Sequence, residues 1–486
     1  MTDKTTLDPS NWSDFRLEAH RALDAAIDHM QQREQAPVWQ SVPAEIKEAL
    51  HAPLPLKGRS RSDLTSQIAA DFLPYNVGNT HARFFGWVHG AGTPDGVIPD
   101  IFAAAMNANL GGRDHVANEV EKLVINWVRQ MFEFPPTAGG LVVSGTSMAT
   151  LIALKAARET HGGLALRKTG LNNVAAQMVG YTSAQAHSCI ERSFDILGLG
   201  QAALRSIPVD KNYRMDTAAL RQSIEQDKAD GLQPFCLIGT AGTVNVGSFD
   251  PLNELADIAD EHGLWFHVDG AFGSLVVLNE QLKPLAKGIE RANSLAFDFH
   301  KWMHVNYDAG FILMRDGEAQ RRAFSERPEY LEGAARGLAA GNPWACEYGP
   351  ELSRGFRALK VWYHLSHFGL ERIGDKIADN CDLARALAEM VDVKDGLEML
   401  VPVWLNIACF RAHSIRLDEA ELDQLNGEIV VELQERGLAA PSTTRIDGKL
   451  AIRVNITNHR TQVSDLAFLV EHVSQLAQEF ETGIRS

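Results

Sequence analysis

From about residue 86 to 365, short β-branched runs alternate with amphipathic helical stretches, a pattern that restricts this region to an α/β domain on a mostly parallel sheet. LVV (141–143) precedes a helical stretch through TLIALKAAR, PFCLIGT (234–240) precedes DPLNELADIADEHG, and LWFHVD fills 264–269. In the second of these helices Leu252, Leu255, Ile258 and Ala259 share one face. Asp250 before Pro251 is expected to cap its start, and Gly263 to end it.

Different patterns flank this region. Residues 1–85 are polar and helical, with Phe15, Ala19, Leu23 and Ile27 at helical spacing and a Pro-rich HAPLPL at 51–56. Such a segment cannot close its own core, so it is expected to be a helical arm packed on another domain or subunit. Beyond Arg357 come a long helical stretch, VWLNIACFR (403–411), a helix through LDQLNGEIVVELQERG, and KLAIRVNIT (449–457). The resulting division is an arm (1–85), a large α/β domain (86–365) and a smaller α+β C-terminal domain (366–486).

Composition narrows the partners. With 46 Lys and Arg against 62 Asp and Glu, the formal charge is −16, and no basic cluster occurs, so neither nucleic acid nor an anionic membrane is expected to bind. The five cysteines (Cys189, Cys236, Cys346, Cys381 and Cys409) are scattered without a CxxC pair. They read as buried thiols in a reducing compartment, and no metal site is expected. MTDKTTLDPSNWSDF lacks the apolar core of a signal peptide, and no run of 18 apolar residues occurs, so a cytoplasmic location is expected.

Four segments carry possible chemistry. Lys301 follows the probable strand SLAFD and is flanked by Phe299, Trp302 and Met303. Desolvation there is expected to lower its pKa toward a nucleophilic amine, although most lysines are simply solvated. In His267-Val268-Asp269-Gly270-Ala271, alternation puts Asp269 and Ala271 on one side of a strand, where a carboxylate and a small residue suit a flat pyridine ring. Asp269 could equally cap the turn at the strand end. In SGTSMAT (144–150), Gly145 permits a tight turn and Thr146 and Ser147 add hydroxyls to free helix amides, which suits a phosphate or, more plainly, a helix cap. His187 opens a helix after MVGYT and could stack on an aromatic cofactor or lie on the surface.

Two partial motifs compete. GLGQAA (198–203) follows a helical run and therefore fails as a dinucleotide fingerprint. Gly145-Thr146-Ser147-Met148-Ala149 resembles the nucleophile elbow of a serine hydrolase using Ser147, a rival that gives Lys301 and Asp269 no purpose.

Taken in order, SGTSMAT, SAQAHSCIERS, HVDGAFG and DFHKW resemble the group II pyridoxal-phosphate-dependent decarboxylases, the family of aromatic-amino-acid, histidine and glutamate decarboxylases. The likeness runs from about residue 70 to 460 and includes GTAGTVNVGSFDPL (239–252) and SRGFRALKVW (353–362). It implies a pyridoxal 5'-phosphate (PLP) transferase of fold type I, a homodimer whose arm wraps its partner, and active sites at the subunit boundary. The implied reaction takes an L-amino acid to its amine and carbon dioxide. An aminotransferase or an oxidative aldehyde synthase would begin from the same imine.

The same resemblance makes Lys301 the lysine that carries the cofactor as an imine and pairs Asp269 with the pyridine nitrogen. It puts Ala271 and His187 against opposite ring faces, Thr146 and Ser147 at the phosphate, and His300 beside the lysine. In SERPEYLEGAARG (325–337), Tyr330 matches the tyrosine of the family's mobile catalytic loop. The chain departs from the family at Gly242-Thr243-Val244, where a hydroxyl near the cofactor is either absent or supplied by Thr243, and at Gly270, Phe272 and Phe299. Substrate-pocket positions fall on Trp87 and His89 and, from the partner subunit, on Asn107, Asn109 and Arg113. These polar residues could bond a polar or acidic side chain, whereas Trp87 could stack on an aromatic one. Arg113 next to Asp114 could as readily form a structural ion pair.

Overall fold

The computed structural model describes residues 6–325 and 333–484. Its strands are β1 (Phe84–Phe85), β2 (Gly139–Val143), β3 (Met178–Ser183), β4 (Leu204–Ile207), β5 (Gln233–Thr240), β6 (Trp265–Asp269), β7 (Ser294–Asp298), β8 (Gly310–Met314), β9 (Leu397–Met399), β10 (Ile407–Ala412), β11 (Ala440–Ile446) and β12 (Lys449–Asn455). Seven of them form one sheet in the order β2-β8-β7-β6-β5-β3-β4. Only β8 runs against its neighbours β2 and β7; the other pairings are parallel. Strands β6, β7 and β8 are buried along their whole length, as expected where helices cover both faces of a sheet.

The helix Thr146–Gly162 packs on β7 and β8. Its buried Ala149, Ala153, Ala156 and Ala157 let the backbone approach the sheet closely, with Ile152 filling the gap between. Removing a side chain as buried as Ile152 would cost about 2–5 kcal/mol. The helix Leu252–His262 does end at Gly263 in a left-handed conformation. Its start differs from expectation: Asp250 does not cap it. That carboxylate instead accepts the N–H groups of Met215 (2.7 Å) and of Thr240 at the end of β5 (2.8 Å). Burial pushes the Asp250 acid up to about 6.

A second sheet, β1-β11-β12-β10-β9, is antiparallel except for the β1/β11 pair. Phe84 pairs with Ala440, so the residues that close the arm region belong to the C-terminal sheet. Helices Glu419–Glu435 and Val463–Ile484 cover this sheet and share its core through Leu425, Ile429, Leu469 and Val473. The helix Leu370–Asp392 ties the two cores together, with Ile373 and Ile377 in the larger and Ala384 and Leu387 in the smaller.

The arm helix Trp12–Gln31 buries no residue, and Trp12, Phe15 and Leu17 lie exposed. Among the described residues no helix is long and apolar enough to cross a membrane, all five cysteines are free, and no cluster could hold a metal ion. The run 198–200 follows the helix Cys189–Ile196, which confirms that it is no dinucleotide-binding turn.

Candidate active site

The carboxyl ends of β5, β6 and β7 deliver Thr240, Asp269 and Asp298 to one end of the sheet, where open α/β sheets bind their ligands. The helix that begins at Thr146 arrives at the same end, and a cavity of about 550 Å³ opens between them. Lys301 lines it just beyond β7.

Asp298 organises this floor. Its Oδ2 lies 2.9 Å from Lys301 Nζ, and its Oδ1 accepts the Thr146 N–H at 2.7 Å. Burial pulls the Lys301 amine down, but the Asp298 carboxylate, reinforced by Asp269, outweighs it and raises the pKa. The sequence-based expectation of a lowered pKa is therefore corrected, because it counted the apolar neighbours and not the two acids. Asp269 is buried, which pushes its carboxyl up against the opposing pull of Lys301 and His187. Its Oδ1 accepts the Ala271 N–H at 3.1 Å, so it caps the strand-end turn while also lining the cavity.

At the helix start, Thr146 is buried with a hydroxyl that has no partner among the described residues, whereas Ser147 is exposed to the cavity. Strand β8 begins with a glycine because a Cβ on Gly310 would run into Gly145 and stand 2.7 Å from Asp298 Oδ1. His300 Nδ1 lies 3.0 Å from the Ala309 carbonyl and 3.1 Å from its amide. Burial lowers the His300 pKa despite Asp298 nearby. His187 lines the cavity, with Nδ1 accepting the Cys189 N–H at 3.2 Å.

Thr243 does not line the cavity: its hydroxyl pairs with Ser248 Oγ at 2.9 Å. Thr240, three residues earlier, does line it and keeps a buried hydroxyl without a partner among the described residues. Sequence reasoning also missed Asp298, Cys189 and Tyr307, all of which face the cavity. Burial pushes the Cys189 thiol up to about 12, so it stays protonated. For Thr240 and Asp298 the available signal was their place at the ends of parallel strands; nothing local marked Tyr307.

The opposite wall is aromatic. His89 stacks on Phe84 (5.6 Å, 19°) and lies 5.7 Å from the Trp87 ring, and Tyr307 lies 4.3 Å from the His300 ring. Trp87 and His89 line the cavity; Asn107, Asn109 and Arg113 do not. Asn107 is the left-handed cap of the helix Val97–Met106. Asn109 Oδ1 accepts the N–H groups of Gly111 and Arg354, both at 2.9 Å, and the Arg113 guanidinium covers the Trp344 ring at 4.4 Å. Tyr330 lies outside the described residues.

Fold and site together define a PLP-dependent enzyme of fold type I. Residues 43–413 match the pyridoxal-dependent decarboxylase conserved domain, and the chain belongs to that family. It is 33% identical over 477 residues to an aromatic-L-amino-acid decarboxylase of Bacillus atrophaeus, with 96% of each chain covered. It is 27% identical to a phenylacetaldehyde synthase of Petunia hybrida, covering 93% of this chain and 91% of that one. The crystal structure of Oryza sativa TDC with PLP and tryptamine superposes with a TM-score of 0.89 at 25% identity, covering 98% of this chain and all of that one. The chain is thus an amino-acid decarboxylase that uses PLP, which overturns the serine-hydrolase alternative.

Proposed function

We propose that the substrate is an aromatic L-amino acid, that Lys301 is the attachment point of the cofactor and that Asp269 partners its ring nitrogen. The observation carrying this reading is one cavity that combines a lysine bound to Asp298, a buried Asp269 and a helix N-terminus.

The residues present fit the cofactor. The buried hydroxyls of Thr146 and Thr240 have no partner among the described residues, and two such donors in one cavity call for an acceptor-rich ligand. Thr146 and Ser147 would hold the phosphate at the helix start, Ala271 and His187 would flank the ring, and His300 would stand beside the lysine. When bound, PLP supplies an electron sink for the electrons left by departing carbon dioxide. The negative charge of Asp269 favours a protonated ring nitrogen. Asp298 orients Lys301 and keeps a proton at Nζ. Tyr330 is proposed as the acid that protonates the α-carbon, on the family resemblance alone.

The aromatic wall of Trp87 and His89, backed by the buried Phe84, supports the substrate class. Lys301 is the one Lys or Arg lining the cavity among the described residues, and it is paired with Asp298, so among those residues an acidic side chain finds no lysine or arginine counter-ion in the cavity. A homodimer is proposed because the arm helix leaves its apolar residues uncovered. Asn107, Asn109 and Arg113 would reach a site only from the partner subunit. Free cysteines support a cytoplasmic location.

An amino-acid panel followed for carbon dioxide and amine, with Lys301→Ala as the blank, tests the reading. Borohydride should fix the cofactor label on Lys301. Release from aromatic amino acids alone is the expected result. Aldehyde with peroxide would favour the oxidative reading suggested by the Petunia relative, and a keto acid would favour transamination.

A further inference from the structure

The cavity contains a phenol that the roles above leave unused. Tyr307 lies on the loop between β7 and β8, and its ring rests against His300 at 4.3 Å and edge-on to His89 at 6.3 Å. Its hydroxyl oxygen accepts the Gly90 N–H at 3.4 Å, which leaves its own proton without an acceptor among the described residues. Burial raises the phenol pKa, so that proton stays in place. The segment carrying Gly90 is itself pressed onto the lysine loop, since a Cβ on Gly90 would collide with the His300 carbonyl. Tyr307 therefore bridges the lysine loop and the aromatic wall.

Resting on the aromatic reading above, we infer that Tyr307 determines specificity: its hydroxyl donates to a hydroxyl on the ring of the substrate. A site with an unspent donor discriminates against an analogue lacking the matching group, because the donor is then left unpaired. Tyr307 is half-exposed, so water offsets part of this, and the discrimination is on the order of tenfold.

Tyr307→Phe removes only the hydroxyl and keeps the ring against His300. Two substrate pairs read the effect, L-tyrosine with L-phenylalanine and 5-hydroxytryptophan with tryptophan. In the variant, the ratio of kcat/KM for the hydroxylated member to that for the other should fall about tenfold, mostly through KM. Calorimetric binding of tyramine and phenethylamine to the holoenzyme should show the same loss of preference. Ratios unchanged in both measurements would overturn the inference. So would an equal loss on both members of each pair, which would make Tyr307 a support for His300. If the wild-type enzyme decarboxylates no aromatic amino acid, the aromatic reading fails and takes this inference with it.

Discussion

Asp298 meets Lys301 at 2.9 Å through one carboxylate oxygen and holds the Thr146 amide at 2.7 Å through the other. One side chain thus connects the lysine to the helix start on which the phosphate is expected. Asp298→Asn keeps an acceptor for Thr146 and removes the charge. With the larger of the opposing charges gone and Asp269 left, the Lys301 pKa should fall. The midpoint of the pH dependence of cofactor incorporation into the apoprotein should move to lower pH; an unmoved midpoint would show that Asp269 alone holds the charge.

Gly310→Ala should disturb the same junction from behind. The new methyl would press on Gly145 and approach Asp298 Oδ1 to 2.7 Å. Overpacking of this kind costs about 1–3 kcal/mol. Both a lower melting temperature and weaker PLP affinity, followed by cofactor absorbance, are expected. A loss of stability without loss of affinity would confine the damage to the strand.

Arg354 is a structural counterpart. Buried beside Glu121, it donates to Glu121 Oε2 at 2.8 Å and to the Val142 carbonyl at 2.7 Å, while Glu121 Oε1 accepts the Val142 N–H at 3.0 Å. Arg354→Met strands a buried carboxylate and should cost about 3–5 kcal/mol in urea unfolding. The double variant with Glu121→Met should recover most of that loss. Equal destabilisation of single and double variants would show that packing, not charge, dominates there.

A histidine cluster behind the lysine loop should make the fold acid-sensitive. His304 has both ring nitrogens buried without partners among the described residues and lies 4.9 Å from the His459 ring. Burial first, then the nearby cations Arg460, Lys376 and Arg372 and the neighbouring histidines His364 and His367, push this group down, with Asp95 opposing at His364. His364 and His459 reach about 4, against an unfolded value near 6.5. Between those values the unfolded chain binds more protons, so stability falls as pH drops through the window. His364→Leu removes one such group, and urea midpoints at pH 7 and pH 5 should lie closer together than in the wild type.

Much of this molecule could be read along the chain because its signals are local. Runs such as SLAFD and LWFHVD become β7 and β6, and Lys301, Asp269, Thr146, Ser147, His187 and His300 do share one cavity. What escaped depends on distance. The Asp298 contact with Thr146 spans 152 positions and has no periodicity to announce it. Thr243 and Thr240 are separated by a turn whose direction decides which hydroxyl faces inward, and the side chain of Ser248 claims the first. Asp250 looked like a cap by adjacency to Pro251, but the competing amides belong to residues that only the folded sheet brings near.

The pairing of β1 with β11 has a mechanical consequence. Trp87 and His89 follow β1 directly, and Arg453 on β12 donates to the Trp87 carbonyl at 2.9 Å. The floor of the cavity is thus rooted in the seven-stranded layer and the aromatic face in the five-stranded one. The gap that admits a side chain is a seam between two slabs, and the contact of Tyr307 with Gly90 stitches it, so a change at that stitch is felt on both faces at once.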